Sequence, residues 1–458
     1  MRLLLYVSAL LFSLFVLGED QRPNVVLIVV DTLRYDHVGC NGYKRDTTPN
    51  IDRLAREGAR LEQMVASSSW TIPSLMSLFT SLPPSLHQVT SYQNRLPDGL
   101  TTLAAELKNA GYDTFGVVSN PSATSKFGFD AGFKVYDDFT IPMSVEMNLF
   151  QEFEKPKSVR DAVTSAHVNR IALQWLETKR DKSKPFFQFL LYIDPHGNYM
   201  PPAPYDKMFS TDYKGTVTGR LYEERTKDLS KEEKEQFKAL YDGEIRNVDD
   251  HIGRILEALT KLKLDENTIV IVTSDHGEEF WDHDGTFHGH TVYDELVRVP
   301  FVVRWPKKIK AGLVLSTQVS QMAVMPTVLE AIGAKAPKQC HGVSILEGLL
   351  GNRIPEQKVL LEADTSGWGE GRNLKALRYR NCKVILDVKS GQRTAFDLTN
   401  DPGESKPLKN AAEYEAVSKE LDEYLKILGK LTGEAKAARQ AEVDEKLLEH
   451  LKQMGYAQ

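Results

Sequence analysis

PNVVLIVVDTLRYDHVGCNGY, residues 23–43, opens with a β-branched, apolar run from Asn24 to Val30 and breaks at once into the polar pair Asp31-Thr32. A short apolar run without polar alternation reads as a strand covered on both faces. Four further runs share this character: Thr114 to Ser119, Phe186 to Ile193, Thr268 to Thr273 and Pro300 to Arg304. Between them lie helix candidates: Asn50 to Glu57, entered through Thr48-Pro49, Leu100 to Ala110, closed by Gly111, and Asp161 to Arg180. Strands alternating with helices predict an α/β fold, a central and mostly parallel sheet flanked by helices and joined by right-handed crossovers.

Outward from this core the chain divides by composition. The segment Tyr205 to Glu235 is rich in Lys, Glu, Asp and Thr and reads as surface. It leads into a long amphipathic helix, Lys234 to Leu262, whose Leu240, Ile245, Val248 and Ile252 supply an apolar face and which carries no evident chemistry. After Pro355 the strand candidates shorten to Lys358–Glu362 and Asn381–Leu386, followed by a Lys/Glu/Ala-rich tail. The expected units are a leader at 1–18, a catalytic α/β domain at 23–350, a small C-terminal α+β subdomain at 355–430 and a helical tail at 431–458. In the leader, Arg2 precedes an apolar run to Gly18 and a polar break at Glu19, the shape of a signal peptide. The run is short of the ~20 residues a spanning helix needs, so a periplasmic or secreted protein is expected rather than a stably inserted one.

With 458 residues, 41% hydrophobic and 26% charged, the chain has material for a large core. Its net charge of -6 gives no electrostatic reason to expect nucleic acid or an anionic membrane as partner. Three cysteines, Cys40, Cys340 and Cys382, leave two readings open: a Cys340–Cys382 bridge in an oxidising compartment, or three unpaired thiols. The sequence does not address oligomeric state.

Ligands of open α/β sheets gather at the carboxyl ends of the strands. Those ends are polar here: Asp31-Thr32 after the first run, Asn120 after Ser119, Asp194-Pro195-His196 after Ile193, and Ser274-Asp275-His276-Gly277-Glu278 after Thr273. Carboxylates and imidazoles delivered to one edge suit a divalent cation. Any single Asp or Asn among them has a plainer alternative, capping the helix that follows its strand.

TTPNIDRLAREGARLEQMVASSSWTIPSLMSLFTS (47–81), LYIDPHGNYMPPAPY (191–205), VTSDHGEEFWDH (272–283) and HGHTVYDELVRVPFVV (288–303) join residues 23–43 in an order that resembles the sulfatase family of the alkaline-phosphatase superfamily. ALRYRNCKVI (376–385) and AFDLTNDPGESKPL (395–408) are similar to that family's small C-terminal sheet. The resemblance implies an alkaline-phosphatase-like fold and a metal held by Asp31, Thr71, Asp275 and His276, with Thr71 at the nucleophile position. Sulfatases carry there the cysteine of a C-x-P-S-R pattern, oxidised to formylglycine; this chain reads Thr71-Ile72-Pro73-Ser74-Leu75. Thr32 likewise stands where many sulfatases have a second metal-binding aspartate.

Formylglycine expels sulfate through its second hydroxyl, an exit closed to threonine. A threonine hydroxyl can still form a covalent ester that water then attacks. The expected function is therefore a hydrolase of small anionic phosphate- or phosphonate-type esters, with a sulfate-ester hydrolase that tolerates threonine, or a catalytically silent anion-binding relative, as alternatives. Catalytic roles fall to Thr71, His196 and His290, and substrate contacts to Asn120, His196 and His288, Asn120 lying where the family places a lysine. A second ion between Asp194, His196 and His290 is a further expectation, set against histidines that only bind substrate oxygens or cap loops. Mixed N/O ligation favours Zn or Mn over Ca or Mg. His167, His251, His341 and His450 have no supporting neighbours.

Overall fold

The computed structural model describes residues 22–138, 163–210, 213–220, 229–365, 371–409, 412–434 and 439–440. The leader at 1–18, the first residues of the expected Asp161–Arg180 helix, His450 and most of the 431–458 tail lie outside them. Among the described residues no helix is long and apolar enough to cross a membrane.

The main sheet is built on β1 (Asn24–Val30), β2 (Ala59–Val65), β3 (Asp113–Val118), β4 (Val135–Asp137), β5 (Phe186–Tyr192), β6 (Thr268–Thr273), β7 (Arg298–Arg304) and β8 (Leu313–Leu315), in the order β8-β2-β7-β6-β1-β5-β3-β4. Val319–Ser320 adds a ninth strand beside β2. Only β7 runs against its neighbours, β2 and β6. All seven residues of β1 are buried, because β5 and β6 flank it in parallel and helices cover both faces. The expected runs fall on β1 and β6 without shift and on β3, β5 and β7 within two residues.

β2 is not among the strands expected from sequence. Its ARLEQMV alternates apolar and charged positions, the pattern of a strand with one half-open face. Gly58, which ends α1 (Pro49–Glu57), makes the return possible, since a Cβ there would stand 2.2 Å from the Val303 carbonyl oxygen. After β2 the chain enters α2 (Thr71–Thr80), buried along its whole length. The helix expected from Asp161 is α3 (Ser165–Gln174), whose last turn, Trp175–Lys179, widens to a π-helix.

The long helix, α4, spans Lys231–Lys261 and starts three residues earlier than expected, because Ser230 and Glu233 close a capping box. Its inward face also carries polar side chains. Its Asp242 is fully buried and accepts from Tyr43 Oη and Arg45 Nη1 and pairs with His37 Nδ1. Its Tyr241 reaches the turn after β1.

β9 (Val359–Asp364), β10 (Asn373–Tyr379), β11 (Cys382–Asp387) and β12 (Arg393–Asp397) form an antiparallel sheet in chain order, backed by α5 (Ala412–Glu434). Arg439–Gln440, within the expected helical tail, instead pairs with Asn94–Arg95 as a short strand. Fully buried Lys383 on β11 binds Asp294 Oδ1 at 2.6 Å and Glu404 Oε1 at 2.9 Å, and Arg378 Nη2 binds Asp294 Oδ2 at 2.9 Å. These pairs lock the small sheet to the segment leading into β7. All three cysteines are free thiols.

Candidate active site

Three segments of the chain meet at the carboxyl edge of the sheet. Asp31 follows β1, Asp275 and His276 follow β6, and Thr71 opens α2. Ligand atoms of Asp31, Asp275 and His276 all lie within 4.8 Å of one another. His276 Nε2 stands 3.7 Å from Asp31 Oδ1, 3.5 Å from Asp275 Oδ2 and 3.3 Å from Thr71 Oγ1, and none of the four residues is exposed to solvent. Thr71 thus offers its hydroxyl at a helix N-terminus, where the peptide dipoles favour developing negative charge.

The polar atoms that point inward are unsatisfied, while those that point outward are held. Asp31 Oδ1 and Asp275 Oδ2 are buried and accept no hydrogen bond. Asp31 Oδ2 takes the Asn120 amide, and Asp275 Oδ1 accepts the backbone N–H groups of Thr32 (3.3 Å) and His276 (2.9 Å). His276 Nδ1 lies 2.8 Å from the Gly277 carbonyl oxygen, so Nδ1 carries the hydrogen and the Nε2 lone pair faces the carboxylates. Burial, and for Asp31 also the charge of Asp275, push both carboxyls above their ordinary range. Two buried like charges, each with an oxygen lacking a donor and sharing one imidazole lone pair, fit a divalent cation.

The next layer fixes the backbone. Ser74 Oγ donates to Asp275 O at 2.6 Å, Ser274 Oγ accepts from Leu33 N at 3.0 Å, and Gln321 Nε2 donates to Ser274 O at 2.8 Å. Of these, Gln321 gave no signal in the sequence. Leu75, at the family's arginine position, is buried in the apolar core.

His196 and His288 stand beside the ligand group, the His288 ring centroid 4.4 Å from that of His276 and 5.0 Å from that of His196. Burial lowers both imidazoles, His196 to about 3, with His288 adding to the shift. Behind them Glu278, which the sequence reading left without a role, is fully buried, 2.9 Å from His288 Nδ1, and accepts from Tyr199 Oη at 3.1 Å; burial raises it to about 7. Its place directly after Asp275-His276-Gly277 was the available clue.

Three of the expected site residues are engaged by other partners in this structure. Asn120 donates to Asp31 and accepts from Ser122 N at 2.7 Å, so its amide is tied to the ligand set and not reserved for substrate. Asp194 accepts from Thr164 N, Ser165 N and Ser165 Oγ at the start of α3, a helix that precedes its own strand. His290 turns away: its Nε2 meets Glu279 Oε2 at 2.7 Å and its side chain is 38% exposed. Asp194, His196 and His290 therefore do not converge on a second ion. On the far side of Trp70 and Pro73, a cleft of about 410 Å³ opens toward Glu362 and Lys375 of the small sheet.

A family model described as Sulfatase matches residues 23–334, and one described as N-sulphoglucosamine sulphohydrolase, C-terminal, matches residues 282–430. An arylsulfatase of Clostridium perfringens is 28% identical, over 88% of this chain and 93% of its own length. A multifunctional alkaline phosphatase superfamily protein of Trinickia caryophylli is 25% identical, over 86% of this chain and 93% of its own. Among solved structures, the phosphonate monoester hydrolase of Agrobacterium radiobacter superposes with a TM-score of 0.73 at 21% identity, over 90% of this chain and 96% of that one, a likeness of fold.

Proposed function

The chain belongs to the sulfatase family of ester hydrolases, and from that premise we propose that it cleaves phosphate- or phosphonate-type esters of small alcohols with Thr71 as nucleophile. The observation that carries this reading is the Thr71 hydroxyl, 3.3 Å from His276 Nε2 at the N-terminus of a buried helix, beside two carboxylates with unsatisfied oxygens. A divalent ion, Zn or Mn by its ligand types, held by Asp31, Asp275, His276 and Thr71, would supply Lewis-acid activation of that hydroxyl.

The Thr71 hydroxyl gives up its proton as Oγ bonds to phosphorus and the bond from phosphorus to the alcohol oxygen breaks, and that proton ends on the departing alcohol. Water then bonds to phosphorus, the bond to Oγ breaks, and Thr71 regains its proton. Glu278 holds Nδ1 of His288, which leaves the Nε2 lone pair of the neutral imidazole free to take up that proton and pass it to the departing oxygen. With Leu75 in the core and Asn120 tied to Asp31, the cationic groups the family brings to these two positions are missing. That balance favours a monoanionic group, a phosphodiester or phosphonate monoester, over a dianion.

The second reading, sulfate-ester hydrolysis, draws on the sulfatase names of the relatives. An assay of the purified protein with Mn or Zn on aryl phosphate, phosphodiester, phosphonate and aryl sulfate separates the two. Acid-quenched enzyme should carry a phosphoryl-type adduct on the peptide holding Trp70 and Thr71. Aryl sulfatase activity alone, with Thr71 unmodified, would replace the first reading by the second. The Arg2-led apolar run supports export to the periplasm or beyond, with a mature N-terminus near Glu19; intact Met1 on membrane-bound protein would contradict it.

A further inference from the structure

The turn that presents Asp31 is held from outside the sheet. Asp31 N still bonds to Tyr192 O at 2.9 Å, in register with β5, and the chain then leaves through Thr32 at φ +55°. A β-branched residue is strongly disfavoured there, because its branched Cβ crowds the backbone in the left-handed region. What opposes relaxation is Tyr241, from the middle of α4. Its hydroxyl donates to Thr32 O at 2.7 Å and accepts from Arg34 N at 3.0 Å, spanning the turn with both halves of one O–H group. In that conformation the Thr32 N–H points at Asp275 Oδ1, so one peptide ties the two carboxylates together.

We propose that Tyr241 is a positioning residue for the ion site: its hydroxyl locks the left-handed turn at Thr32, and through it the placement of Asp31 against Asp275. The inference rests on the ion reading given above and adds a component from a helix that touches no ligand. The ring of Tyr241 packs against His37, Tyr199 and Phe280, at centroid distances of 5.1, 5.4 and 4.9 Å, so Tyr241→Phe removes the clamp and keeps the packing.

The test measures Mn and Zn affinity by chelator competition for wild type, Tyr241→Phe, Thr32→Gly and the double variant, with thermal unfolding of each metal-free protein alongside. Tyr241→Phe should bind the ion roughly ten- to a hundredfold more weakly, as outer partners of metal ligands do when removed. Thr32→Gly should stay within about threefold of wild type, since glycine adopts this φ without strain, and in the double variant it should restore most of the loss. Affinity unchanged in Tyr241→Phe overturns the proposal, and so does a loss that Thr32→Gly fails to relieve, which would assign the effect to packing. Should Tyr241→Phe not fold, a folded double variant with near wild-type affinity still supports the clamp, and an unfolded one overturns it. Equal ion uptake by wild type and Asp31→Ala would remove the ion reading itself. That result differs from a wild-type site that binds and a Tyr241→Phe site that binds as well.

Discussion

Two carboxylate–imidazole clusters share the segment that follows β6, and they have opposite characters. Asp31, Asp275 and His276 bring ligand atoms together and leave two oxygens without donors. Glu279, His283 and Glu295 are as close, yet the cluster closes on itself. His283 Nδ1 meets Glu295 Oε1 at 2.8 Å and its Nε2 meets Glu404 O at 3.3 Å; Glu279 Oε1 accepts from His283 N and Gly285 N, and Oε2 takes His290. Burial works against a charged His283, but the bond to Glu295 prevails and raises it to about 9. The residue types alone do not make a metal site. What decides is whether the protein has already supplied the positive charge, and in the second cluster it has.

The comparison breaks most visibly at Asp275→Asn. Turnover should fall by several orders of magnitude and bound metal should vanish from elemental analysis, as expected when a ligand of an activating ion is lost. The same change should make the metal-free protein more stable by roughly 1–2 kcal/mol, because asparagine keeps the acceptor at Oδ1 and removes a buried like charge beside Asp31. A lower melting temperature than metal-free wild type would mean that the first cluster, too, is internally compensated. Glu279→Gln should act in the reverse sense, costing about 1 kcal/mol by taking the carboxylate from His290, with metal content intact; calorimetry with and without chelator reads both.

pH sharpens the contrast. The folded-state value of His283 stands above the ordinary imidazole value of about 6.5, so its contribution is complete below that pH and is lost as pH climbs through about 9. Stability should therefore decline by about 1–2 kcal/mol across that window, after allowance for solvent screening, and His283→Gln should flatten the slope of melts taken across it. The smallest effect belongs to His290→Gln: about half a kcal/mol for a partly exposed pair, and kcat/KM near wild type. A large loss of activity there would return His290 to the catalytic role expected of it from sequence.

The choice between His288 and His290 marks where sequence reasoning stopped. From sequence, His290 takes a catalytic or second-ion role and His288 a substrate contact, with nothing in the residues around them to say which ring faces the ligand group. Gly289 at φ +88°, following Phe287 at φ +69°, breaks the alternation of a regular strand and sends one ring to each cluster. Asp31, Asp275 and His276 were legible because the apolar runs before them are unbroken and the strand-end rule says where to look. β2 was not, since Arg60, Glu62 and Gln63 on its open face diluted the apolar signal. Tyr241 was invisible for another reason: in a helix of that pattern an inward tyrosine reads as core, and only the turn it meets, 209 residues away in the chain, gives its hydroxyl a task.

Lys383 has a consequence for the order in which the molecule comes into being. Its ammonium group is fully buried and is neutralised by Asp294, made 89 residues earlier, and by Glu404, made 21 residues later. A nascent chain that has released every ligand of the candidate ion site still has the segment around Asp294 and Glu295 unfastened. The fastening arrives only when the last fifth of the protein leaves the ribosome. The join between the two sheets is thereby written across the chain in such a way that N-terminal to C-terminal synthesis can complete it only at its end.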